Sequence, residues 1–260
     1  MTGFAAIPPD LILNHAFSLV LVLARIGATF ALLPGLGEST IPAFVKAGMV
    51  LTLTILLLPI IEPALPPRPE SVVVLARMVL IELANGLWFG WLARILTTSL
   101  PLAGQFIADL AGLANVLQPS QDLGPQSTVL SRLYDVAVPV LILSTGLYRL
   151  LLSSLVGFYQ LAPPGTLAWS GDSAAATVAI TAQCFRLAVQ LAAPFILAAV
   201  AWHVAVGLIA RLVPRLQIFF VALPGQIGLG LLLLAVISLP MIGSWMEAMR
   251  ASFATLPTGG

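Results

Sequence analysis

Between residues 11 and 245 the chain is a succession of Leu, Ile, Val, Ala and Phe runs, punctuated by proline and glycine. Breakers at the ends of long apolar runs predict helices. Residues 11–33 read as a first helix, ended by LPGLG at 33–37, and residues 45–58 as a shorter one, stopped by Pro59. A polar, proline-rich link at 62–70 leads to an apolar run over 72–100. As one helix that run is about 43 Å long. It exceeds a hydrocarbon core of about 30 Å, so it is expected to tilt, bend or project beyond a membrane. Residues 102–117 are amphipathic and lead into the most polar stretch, QPSQDLGPQST at 118–128. Residues 129–161, with Pro139 inside, read as one kinked helix or two. After a loop at 163–172 come a long helix over about 173–209, a tight basic turn at 211–215 and a last helix over 219–246. The tail from Ser252 is expected to be short and loose. The fold class is therefore all-α: a multi-helix, membrane-associated bundle of kinked helices and helical hairpins. Its expected organisation is one integrated membrane domain, with an N-terminal helical part at 1–165 and a long C-terminal hairpin at 166–260.

Several charges sit inside these runs instead of between them. Arg25, Glu82, Arg94, Asp109, Arg149 and Arg186 are each embedded in apolar sequence. A charge at the centre of a membrane helix costs about 2.5–3.5 kcal/mol on insertion scales. Such groups need partners, within the chain or on neighbouring chains. Composition agrees with a membrane protein, since 60% of residues are hydrophobic and 8% charged, against about 45–50% and about 25% in soluble domains. A net charge of +1 points to no nucleic acid partner. The single cysteine, Cys184, forms no internal disulfide and leaves the redox compartment open. The first ten residues hold Asp10 and no Lys or Arg, so they lack the basic start of a cleavable signal. The first hydrophobic run is expected to stay in the mature protein.

Three polar clusters stand out as buried or intersubunit seams. Gln183, Arg186 and Gln190 share one helical face by their spacing. That face is a packing face inside the chain, a seam between subunits or a substrate contact. Glu82 and Asn85 form a similar pair beside Gly86 and Gly90, whose spacing admits a close helix neighbour. Gly104, Ala108 and Gly112 repeat the small-residue spacing beside Gln105 and Asp109. Arg132 and Asp135 are expected to pair locally.

Chemistry is hard to find. His15 and His203 lie in separate apolar segments without a metal-ligand pattern, and His203 with Trp202 reads as a packing or interfacial pair. No nucleophile elbow, phosphate loop or dinucleotide fingerprint is present. The expectation is a protein without catalytic residues, cofactor or metal. The segment of interest is 108–126, where Gly112, Pro119, Gly124 and Pro125 prevent a continuous helix. At membrane depth such backbone persists only when protein or water surrounds it. It is either an ordinary extramembrane loop or a re-entrant element lining a passage.

Several stretches, in order, resemble the FliR family of flagellar biosynthetic proteins. They are RIG at 25–27, LPGLG at 33–37, Ile41 with Pro42, AGQFIAD at 103–109 with Gly112, and LSRLY at 130–134 with Gly146. PPG at 163–165, LAAP at 191–194, GLIAR at 207–211, Val213 with Pro214, FFV at 219–221, Leu223 with Pro224 and IGLG at 227–230 complete the series. The chain departs from the family at Arg215, Leu216 and Gln217, and it lacks aromatic residues between Leu113 and Gln126.

The resemblance implies a subunit of a type III export gate in the bacterial inner membrane, at the flagellar basal body. It would join other export-gate membrane subunits in a helical hetero-oligomer around a conduit for unfolded exported proteins. The first part of the chain would be like one partner and the final hairpin like another. The assembled gate would sit largely above the membrane plane. The resemblance also implies that a central plug-like loop, about 108–126, closes the conduit, with Gly112, Leu113, Asn115, Gln118, Pro119 and Gly124 in it. By the positive-inside rule the turn carrying Arg211, Pro214 and Arg215 faces the cytoplasm. The competing readings are the virulence injectisome member of the same family and a small-molecule secondary transporter. The transporter would show inverted repeats, and none is visible.

Overall fold

The computed structural model describes residues 9–113, 128–168, 171–212 and 218–256. Among them every regular element is helical: α1 (Pro9–Leu32), α2 (Ala43–Ile61), a 3-10 turn (Glu62–Ala64), α3 (Val72–Thr97), α4 (Ser99–Leu110), α5 (Val129–Ser144), α6 (Leu147–Leu161), α7 (Gly171–Leu212) and α8 (Ile218–Ala254). The all-α membrane bundle is thus the observed class. Among the described residues five helical stretches are long and apolar enough to cross a membrane, and α5 with α6 would make a sixth.

Local chemistry explains the boundaries. LPGLG ends α1 because Gly35 adopts φ +83°, a conformation that costs glycine little. Within the amphipathic run expected over 102–117, α4 ends at Leu110 and Gly112 at φ +72° turns the chain; residues 114–117 lie outside the described residues. Pro139 lies inside α5 without ending it. The break between α5 and α6 instead falls at Gly146, φ +76°. So residues 129–161 are two helices, and glycine rather than proline separates them.

The C-terminal tail corrects the sequence reading. α8 continues to Ala254, with Ser252, Phe253 and Leu256 buried. Ser154 donates to the Phe253 carbonyl. Burying a phenylalanine side chain stabilises by about 1.5–3 kcal/mol, enough to hold residues 252–256 against the body of the protein.

Two compact units interleave along the chain. The first contains α1, α2, most of α3, α6 and the start of α7. Its interior includes Leu21, Ile26 and Leu33 of α1, with Phe89 stacked on Phe158 at 5.5 Å between ring centres. The second contains α4, α5 and most of α7 and α8. There Gly104 lets α4 meet α5 closely, since a Cβ would lie 2.6 Å from Tyr134 Cδ2. Trp245 donates from its indole to Ser99 Oγ at 3.1 Å, both buried.

Much apolar surface is left uncovered. Of the most apolar stretch in α7 only 17% is buried, and of that in α8 only 11%. Phe44, Leu197 and Leu239 are 78%, 72% and 81% exposed. Surfaces of this kind face lipid or other polypeptides, because contiguous apolar patches are rare on soluble monomers.

Candidate functional site

The first unit is organised around a buried ion pair. Gly86 and Gly90 make it possible: a Cβ on Gly86 would collide with the Arg25 carbonyl, and one on Gly90 would sit 2.8 Å from Thr29 O. α1 and α3 therefore cross with their backbones close. Thr29 Oγ1 bonds Arg25 O at 2.9 Å and Gly86 O at 3.2 Å across this crossing. The approach brings Arg25 against Glu82, both side chains fully buried, with Nε to Oε2 at 2.6 Å and Nη2 to Oε1 at 3.1 Å. The third guanidinium nitrogen donates to Ala162 O at 2.8 Å. Tyr159 and Phe158 present ring faces at 4.2 and 5.2 Å, so the cation is enclosed.

The same carboxylate holds the loop after α6. Glu82 Oε1 accepts from the Gly165 amide at 2.7 Å. Asn85 uses both ends of its amide there, donating to Thr166 O at 2.8 Å and accepting from Ala168 N at 2.9 Å. Gly165 takes φ +81° beside Met78. Hence Glu82 and Asn85 face the interior of this chain, pinning the turn that carries PPG.

In the second unit, residues 112–113 and residue 128 are both fastened to α4. Leu113 N bonds Ala108 O at 2.9 Å and Gly112 N bonds Asp109 O at 3.3 Å. That is a glycine-closed helix end. The Thr128 amide donates to Gln105 Oε1 at 3.1 Å, and Thr128 caps α5 through Ser131 N. Gln105 also donates to Asp109 at 3.3 Å. Asp109 itself is exposed, whereas Leu113 is buried and Gly112 half-buried. Asn115, Gln118, Pro119 and Gly124 lie outside the described residues. α8 reaches this root as well: Gln226 Nε2 donates to Leu110 O at 2.9 Å.

The stripe on α7 divides. Gln183 donates to Ser252 Oγ at 2.8 Å, so it faces α8. Arg186 and Gln190 are exposed between Phe185 and Val189, which are 54% and 46% exposed. Arg186 has no ion-pair partner among the described residues. Arg211 is exposed in the last turn of α7, while Pro214 and Arg215 lie outside the described residues. Arg132 and Asp135 approach only to 4.0 Å at the surface. His203 Nδ1 lies 2.6 Å from Ala199 O, and His15 pairs with Glu62 at 2.9 Å. Among the described residues no cluster of His, Cys, Asp and Glu is placed to hold a metal ion. The polar groups brought together here tie helices and loops to each other.

Sequence reasoning singled out Arg25 as a costly embedded charge without naming its partner. Tyr159, Thr29 and Gln226 it missed altogether. For Gln226 a signal existed, since it is the only polar side chain in the apolar run 222–236.

Comparison with known proteins places these features in a wider group. Residues 16–252 match the family model described as bacterial export proteins, family 1. The chain is 33% identical over 230 residues to flagellar biosynthetic protein FliR of Caulobacter vibrioides, covering 88% of this chain and 92% of that one. It is 26% identical to FliR of Escherichia coli, covering 86% and 85%. It is also 29% identical over 249 residues to Yop proteins translocation protein T of Yersinia pestis, covering 92% and 93%.

Proposed function

The chain belongs to the bacterial export proteins, family 1, and on that premise we propose that it is the structural and gating subunit of a flagellar type III protein export gate. The observation that carries this reading is the match to FliR relatives over nearly the whole chain. The gate lies in the bacterial inner membrane at the flagellar basal body, and unfolded flagellar proteins are its cargo. The chain acts by assembly and closure, with no chemistry of its own.

Two structural features support the details. Uncovered apolar faces on α2, α7 and α8 suit burial against companion subunits, with residues 1–165 built like one partner and 166–260 like another. Arg186 and Gln190 then lie in an intersubunit seam, because an arginine on so apolar a face needs a carboxylate or carbonyl from elsewhere. The second feature is the root of residues 108–126, tied at both ends to the short helix α4. Fixed ends with a Gly/Pro-interrupted middle suit a loop that closes a conduit and is displaced by cargo.

Deleting the chain in its own bacterium is expected to abolish secretion of flagellar proteins and swimming, scored by immunoblot of the medium and by motility. The match to translocation protein T of Yersinia pestis keeps the injectisome as the second reading. Normal flagella with loss of injected proteins would move the subunit to that system.

A further inference from the structure

We propose that Gln226, on the last helix, is the positioning residue that fixes the root of the gate loop, by donating to the Leu110 carbonyl at the end of α4. This rests on the gating role of residues 108–126 proposed above. A helix ends with four carbonyls that lack intrahelical donors. In α4 three are taken locally: Ile107 O by Ala111 N at 2.9 Å, Ala108 O by Leu113 N at 2.9 Å and Asp109 O by Gly112 N at 3.3 Å. The fourth, Leu110 O, is taken by Gln226 Nε2 at 2.9 Å, from 116 residues away. Gln226 lies between Leu223 and Leu229 in an otherwise apolar stretch. A half-buried amide there is costly unless it is bonded, so each group satisfies the other.

The surrounding packing is matched to this contact. Leu223, Gln226 and Gly230 follow one another at helical spacing and so share one face of α8. A Cβ on Gly230 would lie 3.2 Å from Ala111 Cα, and one on Gly112 would meet the Gln226 amide at 3.5 Å and Leu223 at 3.6 Å. Leucine, amide and glycine thus meet residues 110–112 in register. Beside them lies a cavity of about 20 Å³ lined by Ala111, Phe195, Ala199, Trp202, Gln226 and Gly230, with room for about one water. Apolar packing is therefore incomplete where the amide bond is made, and that bond decides where the chain leaves α4. The C-terminal hairpin and the loop root are coupled through it.

Gln226→Met keeps length and volume and removes the donor. In the purified complex, amide hydrogen exchange at Gly112 and Leu113 is expected to become about tenfold faster, with Ala188 and Ala192 of α7 unchanged. Gln226→Lys, which keeps an N–H donor at similar reach, is expected to restore most of the protection. Unchanged exchange at Gly112 and Leu113 in the Met variant, equal acceleration in α7, or no recovery with lysine would each overturn the proposal. Ion leakage through the complex tests the premise separately. Faster exchange with an unaltered leak supports the tie and removes the loop as the closure.

Discussion

Replacing Glu82 with alanine is expected to destabilise the protein by about 3–5 kcal/mol, because it strands a fully buried guanidinium. Arg25 has no access to water and would keep only the Ala162 carbonyl and two aromatic faces. The Gly165 amide loses its acceptor at the same time. Two signatures follow in the purified protein: a large fall in the midpoint of detergent or denaturant unfolding, and faster proteolysis at 162–168. Replacing both partners with apolar residues, Arg25→Met with Glu82→Leu, is expected to recover much of the loss, since buried pairs exchange for packed hydrophobes at little cost. Wild-type stability in Glu82→Ala would show that the pair holds nothing together.

The largest functional effect is expected from removing residues 112–124. The remaining residues 125–127 span about 10 Å when extended. That is comparable to the rise of about 9 Å between positions 105 and 111 of a helix, so α4 and α5 stay joined. For a conduit sealed about 99% of the time, loss of its closure raises the open fraction by up to about a hundredfold. Small-solute or ion leakage into cells expressing the deleted form should therefore rise steeply while complex recovery persists. Unchanged leakage with intact assembly would take the closing role away from this loop.

The helices were legible because long apolar runs bounded by breakers leave few alternatives, and α1, α2 and α7 lie within a few residues of their expected bounds. What failed were judgements of competing local effects. Proline at 139 removes one hydrogen bond from a helix whose apolar face still packs, whereas Gly146 at positive φ ends it outright. The tail was read as a loose chain end, yet Phe253 and Leu256 find apolar cover. The site was legible in part. Sequence alone says that Arg25 and Glu82 each require a partner, but the two are 57 residues apart, and no periodicity connects them. The stripe of Gln183, Arg186 and Gln190 shares a face by spacing, yet among the described residues only Gln183 is seen to bond a neighbouring helix. Spacing reports which side of a helix a residue occupies; what stands opposite depends on tertiary contacts that spacing does not contain. Gln226 could have been noticed as a lone polar side chain in an apolar run, but its partner could not, since the bond joins positions 116 residues apart.

Affinity purification of the tagged chain in mild detergent, with mass-spectrometric identification of everything retained, is the most direct measurement. Several small membrane proteins are expected to copurify in fixed stoichiometry, and Arg186→Leu is expected to lower their recovery. A stable, solitary protein that retains no companion and tolerates Arg186→Leu unchanged would contradict the assignment of its apolar faces to subunit contacts.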